Sequence, residues 1–225
     1  VNGFNLYKPY RELKKLDDLI LSEIDVAYSN DYGYITSSPS NLGTGMRASV
    51  MLFLPALERN GDINLLKKEA RQQGYTIRGL YDEGSETYGS FYQISNQNSL
   101  GLSEEEIIDG VSDYVYNICQ MELSAREDIL ASNHDKLIDE IYRAYGILKE
   151  CYSLEEKEMI ELLALIKFGD ALGFLKISDQ KSFVKLLVEG ASANLREIES
   201  FSEILKEEQV RSEYINRKIR EPVSK

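Results

Sequence analysis

The chain has 225 residues, 43% hydrophobic and 28% charged, the composition of a soluble protein with one large domain or two smaller ones. A net charge of −12 supplies no long-range field for nucleic acid or an anionic membrane, and no run approaches the roughly 20 apolar residues of a membrane helix. Direct nucleic-acid and membrane partners are therefore excluded, and with no basic, then apolar, leader at Val1-Asn2-Gly3-Phe4-Asn5 a cytoplasmic location is expected.

Leu13, Leu16, Leu19, Ile20 and Ile24 recur at spacings of three and four, which predicts an amphipathic helix from near Pro9 to Ile24 that packs on a sheet. From Gly33 to Ser95 the texture changes to short β-forming runs bounded by Gly, Pro, Asn or Ser: Gly33–Thr36, Met46–Leu54, Tyr75–Gly79 and Phe91–Ser95. One helix containing Ile63, Leu65, Leu66 and Ala70 interrupts them and stops at Gly74. Ser103 to Glu106 matches a capping box, followed by a long apolar face of Ile107, Ile108, Val111, Val115, Ile118 and Met121. Everything beyond reads as helical. A second capping box spans Ser153 to Glu156, Gly169 and Gly173 punctuate the helix it opens, and further helices cover about Gln180–Val188 and Phe201–Ile219.

Cys119 and Cys151 lie outside any Cys-x-x-Cys pattern and are expected to pack on helix faces. His134, the single histidine, excludes a multi-histidine metal site and reads as a surface residue before a helix. No protein metal site is expected. The predicted fold is α+β, a mostly antiparallel sheet flanked by helices over residues 1–125, then an all-α part over 126–225.

The richest stretch runs from Gly33 through Ser38-Pro39-Ser40-Asn41-Leu42-Gly43-Thr44-Gly45 to Arg47-Ala48-Ser49-Val50-Met51. A strand leads into a glycine-permitted turn, and a second strand opens with one arginine. Strand parity puts Arg47, Ser49 and Met51 on one face and Ala48 and Val50 on the other. If Arg78, at a strand end, converges on the same face, the pair forms an anion site.

This string resembles the signature of the phosphagen kinases, in which a Pro-Ser/Thr-Asn-x-Gly-Thr-Gly-x-Arg-Ala run positions a guanidino substrate and supplies a phosphate-binding arginine; Arg47 takes that arginine's place. Arg78-Gly79-Leu80-Tyr81-Asp82-Glu83-Gly84-Ser85-Glu86 and Ile94-Ser95-Asn96 resemble two further family regions in the same order. Tyr81, the Arg47–Met51 string and the helical tail resemble the McsB-type protein-arginine kinases. The resemblance implies ATP with Mg²⁺, bound by Arg47, Ala48, Ser49, Val50 and Met51 and by Arg78, Gly79, Leu80, Tyr81, Asp82 and Glu83. It implies a protein arginine gripped and deprotonated by Glu83 or Glu86, which suits the chemistry: planar permanent cations neutralise the equatorial oxygens in phosphoryl transfer, and carboxylates suit a guanidinium acceptor. It also implies an activator protein and a Clp-type protease system as partners, with a homodimer possible.

Four departures bear on activity. Ser38 stands at the family's reactive cysteine, and a hydroxyl is not a thiolate at neutral pH. Asp82 replaces a loop glycine. Of the C-terminal phosphoarginine-sensing Arg-Asp-x-x-Arg-Ala only Arg211 matches, within Glu207 to Ser212, so that sensing site is not predicted. The family's upstream arginines and substrate glutamate precede the point matching Val1. A protein-arginine kinase catalytic region is thus expected, with weak ATP binding and no measurable turnover by this chain alone. A non-catalytic binding or scaffold module of the same fold is the alternative, and a small-molecule guanidino kinase is less favoured because it gives the helical tail no role.

Overall fold

The computed structural model describes residues 4–80, 87–132, 134–199 and 206–224. Contacts group the chain into a sheet-bearing unit, Val1–Leu80 with Phe91–Leu123, and a helical unit, Tyr81–Ser90 with Ser124–Lys225.

In the first unit α1 (Tyr7–Glu23) precedes a two-stranded hairpin of β1 (Tyr28–Ser29) and β2 (Gly33–Tyr34). A 3₁₀ turn over Pro39–Asn41 leads to β3 (Ser49–Phe53), α2 (Pro55–Asn60), α3 (Ile63–Gln72), β4 (Tyr75–Gly79), β5 (Phe91–Asn96) and α4 (Glu104–Ala131). The sheet has the order β3-β5-β4 and is antiparallel throughout. One face is core: Ile77, Tyr92 and Ile94 are buried, as are Ile107, Ile108, Val111 and Val115 of α4. Tyr75 stacks on Tyr114 with ring centroids 4.2 Å apart.

The capping box that opens α4 forms as the sequence indicates, with Ser103 N–H donating to Glu106 at 2.7 Å and Glu106 N–H donating to Ser103 Oγ at 3.2 Å. The start of α2 is capped from a distance. Buried Glu122 accepts from the N–H groups of Ala56 and Leu57 at 3.2 and 3.0 Å, placing a carboxylate at the positive end of the helix dipole.

Three expectations need correction here. The run Gly33–Thr36 contributes only Gly33–Tyr34, and it pairs with Tyr28–Ser29 instead of joining the main sheet. Met46–Leu54 shortens to Ser49–Phe53, because Met46 and Ala48 bond to the Asn96 side chain instead of to a strand. Helix α1 forms but buries no residue: Leu13 is 63% exposed and Leu19 60%. Its anchoring is polar, through Tyr7 to Asp109 at 2.7 Å and Tyr10 to Glu104 at 2.6 Å, and its apolar stripe faces a groove instead of a sheet.

The helical unit contains α5 (Asp135–Glu150), α6 (Glu156–Ala171), β6 (Lys176–Ile177), α7 (Gln180–Glu189), α8 (Ser192–Ile198), α9 (Glu207–Lys218) and β7 (Val223–Ser224). The part expected to be wholly helical therefore also holds a β6–β7 pair. The second capping box does not form: α6 starts at Glu156, whose carboxylate instead accepts the Ser192 N–H at 2.9 Å. Gly169 does not break α6. It lies inside it, where a Cβ would stand 2.6 Å from Ile141 Cγ2, so glycine permits the close α5–α6 approach. Gly173, at φ +81°, does turn the chain out of the helix. The expected helix Phe201–Ile219 appears as α9, and residues 201–205 lie outside the described residues. His134 sits half-buried at the start of α5, its ring stacked on Phe174. Both cysteines are half-buried and outside any disulfide, Cys119 on α4 and Cys151 just past α5. Among the described residues no helix is long and apolar enough to cross a membrane.

Candidate active site

Residues that pair across antiparallel strands share a face. The register therefore sets out three rows on the face opposite the core: Phe53 with Phe91, then Met51 with Gln93 and Arg78, then Ser49 with Ser95 and Thr76. None of the three strands carries an acidic residue. The surface grades from an aromatic end, where the Phe53 and Phe91 rings lie 5.0 Å apart, to a hydroxyl and amide end.

Arg47 reaches this face from the segment just before β3. Its guanidinium donates to the buried Ser95 hydroxyl at 3.1 Å. The backbone on either side is clamped by one side chain, as Asn96 accepts the Ala48 N–H at 2.8 Å and donates to the Met46 carbonyl at 3.0 Å. A neighbouring bond from Gln93 to Ser49, 3.0 Å, ties β5 to β3 beside it. Arg78, exposed on β4, lies in the same row as Gln93. Neither arginine pairs with a carboxylate among the described residues. In a chain of net charge −12, two exposed guanidinium groups on one acid-free face make an anion-binding surface.

The loop leading to Arg47 is fixed by close backbone approach. Gly43, at φ +98°, would place a Cβ 2.5 Å from the Ser99 carbonyl oxygen, and the Ser99 hydroxyl donates to the Leu42 carbonyl at 2.8 Å. A groove of about 470 Å³ runs between α1 and Thr44–Ser49, lined by Leu13, Leu16, Ile20, Met46 and Arg47 among others. At its rim the Tyr10 hydroxyl is pushed up to about 12 by its hydrogen bond to the Glu104 carboxylate.

Of the residues singled out from sequence, Arg47, Ser49, Met51 and Arg78 come together. Ala48 and Gly79 are buried and Val50 pairs with core residue Ile94, so these three can offer only backbone. Leu80 follows β4, and its N–H donates to the Phe91 carbonyl. Ser38 is half-buried before the 3₁₀ turn, outside the sheet, its carbonyl accepting from Thr36 Oγ1 at 2.7 Å. Tyr81, Asp82, Glu83 and Glu86 lie outside the described residues. No group of three or more His, Cys, Asp or Glu among the described residues could hold a metal ion. Gln93, Ser95 and Asn96 escaped the sequence reading as site residues; Ser95 and Asn96 stood in a quoted motif, but only the pairing register assigns them a task.

The fold and this face define an anion-receptive surface on an antiparallel sheet, and comparison assigns the class. Residues 1–125 match the ATP:guanido phosphotransferase C-terminal catalytic domain. The chain belongs to that family. Residues 134–224 match the protein-arginine kinase McsB C-terminal domain. The protein-arginine kinase of Clostridium tetani (strain Massachusetts / E88) is 40% identical over 225 residues, covering 99% of this chain and 66% of that protein. That of Bacillus subtilis (strain 168) is also 40% identical, over 77% of this chain and 48% of its own length. The chain thus spans about half to two thirds of the curated relatives it matches. Among solved structures, the duplicated taurocyamine kinase from Schistosoma mansoni overlays 54% of this chain and 17% of its own at 36% identity, with a TM-score of 0.49.

Proposed function

We propose that this chain is a protein-arginine kinase catalytic region, which transfers the γ-phosphoryl group of ATP to a guanidino nitrogen of arginine in a protein. The observation that carries this reading is the acid-free sheet face on which Arg47 and Arg78 stand without carboxylate partners among the described residues. Family membership supplies the guanidino acceptor. The C-terminal match and the names of the relatives support an acceptor borne by protein.

In this reading residues 1–125 are the catalytic lobe and 126–225 the helical domain. Arg47 and Arg78 grip phosphate oxygens, Ser95 aims Arg47, and Asn96 holds the chain beneath it. Mg²⁺ accompanies the nucleotide and neutralises phosphate charge. Glu83 or Glu86 orients the acceptor guanidinium and takes its proton as the nitrogen–phosphorus bond forms and the bond to the ADP oxygen breaks. Ser38, a neutral hydroxyl near the acceptor, makes orientation weaker than a thiolate would. Protein arginines are the substrates, and an activator protein and a Clp-type protease system are the partners in the cytoplasm.

Calorimetric titration with MgATP, followed by mass-spectrometric detection of acid-labile phosphoarginine on an arginine-rich protein, tests the assignment. Because of Ser38, a second reading stands beside it, a binding module that takes up nucleotide without turnover. Both measurements are made on this chain alone and on the chain joined to the family's upstream section; nucleotide binding with no phosphoarginine from the joined protein selects that module, and neither activity in the joined protein defeats both.

A further inference from the structure

The β1–β2 hairpin is seated on the loop that leads to Arg47. Gly33, at φ +72°, would place a Cβ 2.6 Å from the Gly43 carbonyl oxygen, and the Tyr34 N–H donates to that carbonyl at 2.8 Å. Beside this contact lies a pocket of about 290 Å³, walled by Tyr28, Asp31, Tyr32 and Tyr34 of the hairpin and by Glu104 of α4. All of its lining belongs to the sheet-bearing unit. The volume sits at the small end of ligand pockets, roughly 300–1,000 Å³, and suits one side chain better than a nucleotide.

The lining inverts the chemistry of the Arg47 face. Two carboxylates and three phenol rings line the pocket, and among the described residues no lysine or arginine does. The Tyr28 and Tyr34 rings meet edge to face, with centroids 5.3 Å apart. Tyr32 is 57% exposed, and neither its ring nor the Asp31 carboxylate has a partner among the described residues. Glu104 accepts the Tyr10 hydroxyl through one oxygen at 2.6 Å. Aromatic faces attract cations through the ring quadrupole, and a planar guanidinium can stack on a ring while bonding a carboxylate. Thr44 lines both this pocket and the groove that reaches Arg47, so an occupant lies beside the loop that carries that arginine.

We propose that this pocket captures a second, non-reacting arginine side chain of the protein acceptor, stacked on Tyr32 and paired with Asp31. Capture of a guanidinium stands on the pocket alone; that it belongs to the acceptor rests on the kinase reading.

The test titrates the full chain with N-acetyl-arginine amide and with its neutral isostere N-acetyl-citrulline amide, following backbone amide chemical shifts. The arginine probe alone should give saturable shifts at residues 30–33 and 100–102. Tyr32→Leu and Asp31→Asn should each weaken that binding by about two- to five-fold, the span of an exposed cation–π or ion pair, whereas Tyr32→Phe, which keeps the ring, binds as wild type. An equal response to both probes, shifts confined to other regions, or wild-type binding by Tyr32→Leu overturns the proposal. In the chain joined to the family's upstream section, a peptide with a second arginine near its target should have a KM about two- to five-fold below that of its citrulline counterpart. Tyr32→Leu should close that gap, and a gap that survives overturns the acceptor role. Absence of phosphoarginine from the wild-type joined protein counts against the kinase reading instead, and the titration then decides the pocket by itself.

Discussion

Two regions of the molecule each depend on arginine, and they use it in opposite ways. In the helical unit Arg211 is 2% exposed, and its guanidinium donates to the Gly190 carbonyl at 2.8 Å, the Leu154 carbonyl at 3.0 Å, Ser192 Oγ at 2.8 Å and Glu207 at 2.6 Å. Four of its five N–H donors are spent on the protein itself. On the sheet face Arg47 is exposed with one hydroxyl partner, and Arg78 has no ion pair among the described residues. Burial with a full set of acceptors makes an arginine structural, whereas exposure on an acid-free surface leaves its charge for a ligand.

The largest effect expected from this contrast is on stability. Arg211→Ala leaves two buried carbonyls and the Glu207 carboxylate without their cation, and breaking such a buried network costs ~3–5 kcal/mol. Urea unfolding of the full chain measures it, and a loss below ~1 kcal/mol would place Arg211 with the ligand-facing arginines. Arg47→Ala and Arg78→Ala reverse the pattern: each should weaken MgATP binding by about ten- to a hundred-fold, from the ~1.5–3 kcal/mol of a charge-assisted bond, while changing stability by no more than ~0.5 kcal/mol. Unfolding of either variant at much lower urea would show these side chains to be structural after all.

A smaller effect lies in acid. Hydrogen bonding from Ser192, with Arg196 and Arg211 beside it, lowers Glu207 from the ordinary 4.5 to about 2. A depressed carboxylate stabilises the fold fully above its unfolded value, so this contribution is lost as pH falls from 4.5 towards 2. Glu207→Gln should flatten the acid limb of a stability profile across that window, and an identical limb in both proteins contradicts the assignment. The smallest and most local change is Ser38→Cys. In a protein that joins this chain to the family's upstream section it should raise phosphoarginine formation while MgATP affinity stays within about threefold, since the family cysteine serves the acceptor and not the phosphates; an equal shift in both would break that division of labour.

Legibility followed the range of the interactions. Helix α1, the α3 stop at Gly74 and the capping box at Ser103 and Glu106 were readable because each depends on residues within about one turn of each other. The alternation around Arg47 was readable for the same reason, and so were the family motifs. The second capping box failed when Ser192, distant in sequence, offered Glu156 a better partner than Ser153 could. Glu122 as the cap of α2 left no local signal at all.

The sequence by itself determined most of the helices, the strands of the main sheet, the family and the charged residues available for chemistry, since periodicity, turn residues and motif strings are local properties of the chain. Tertiary structure alone decided which of those charges are free. Strand register sets Arg78 level with Gln93 and brings Ser95 under Arg47, and helix packing encloses Arg211 among carbonyls, because solvation and partner count belong to the folded surroundings of a group and not to its neighbours in sequence.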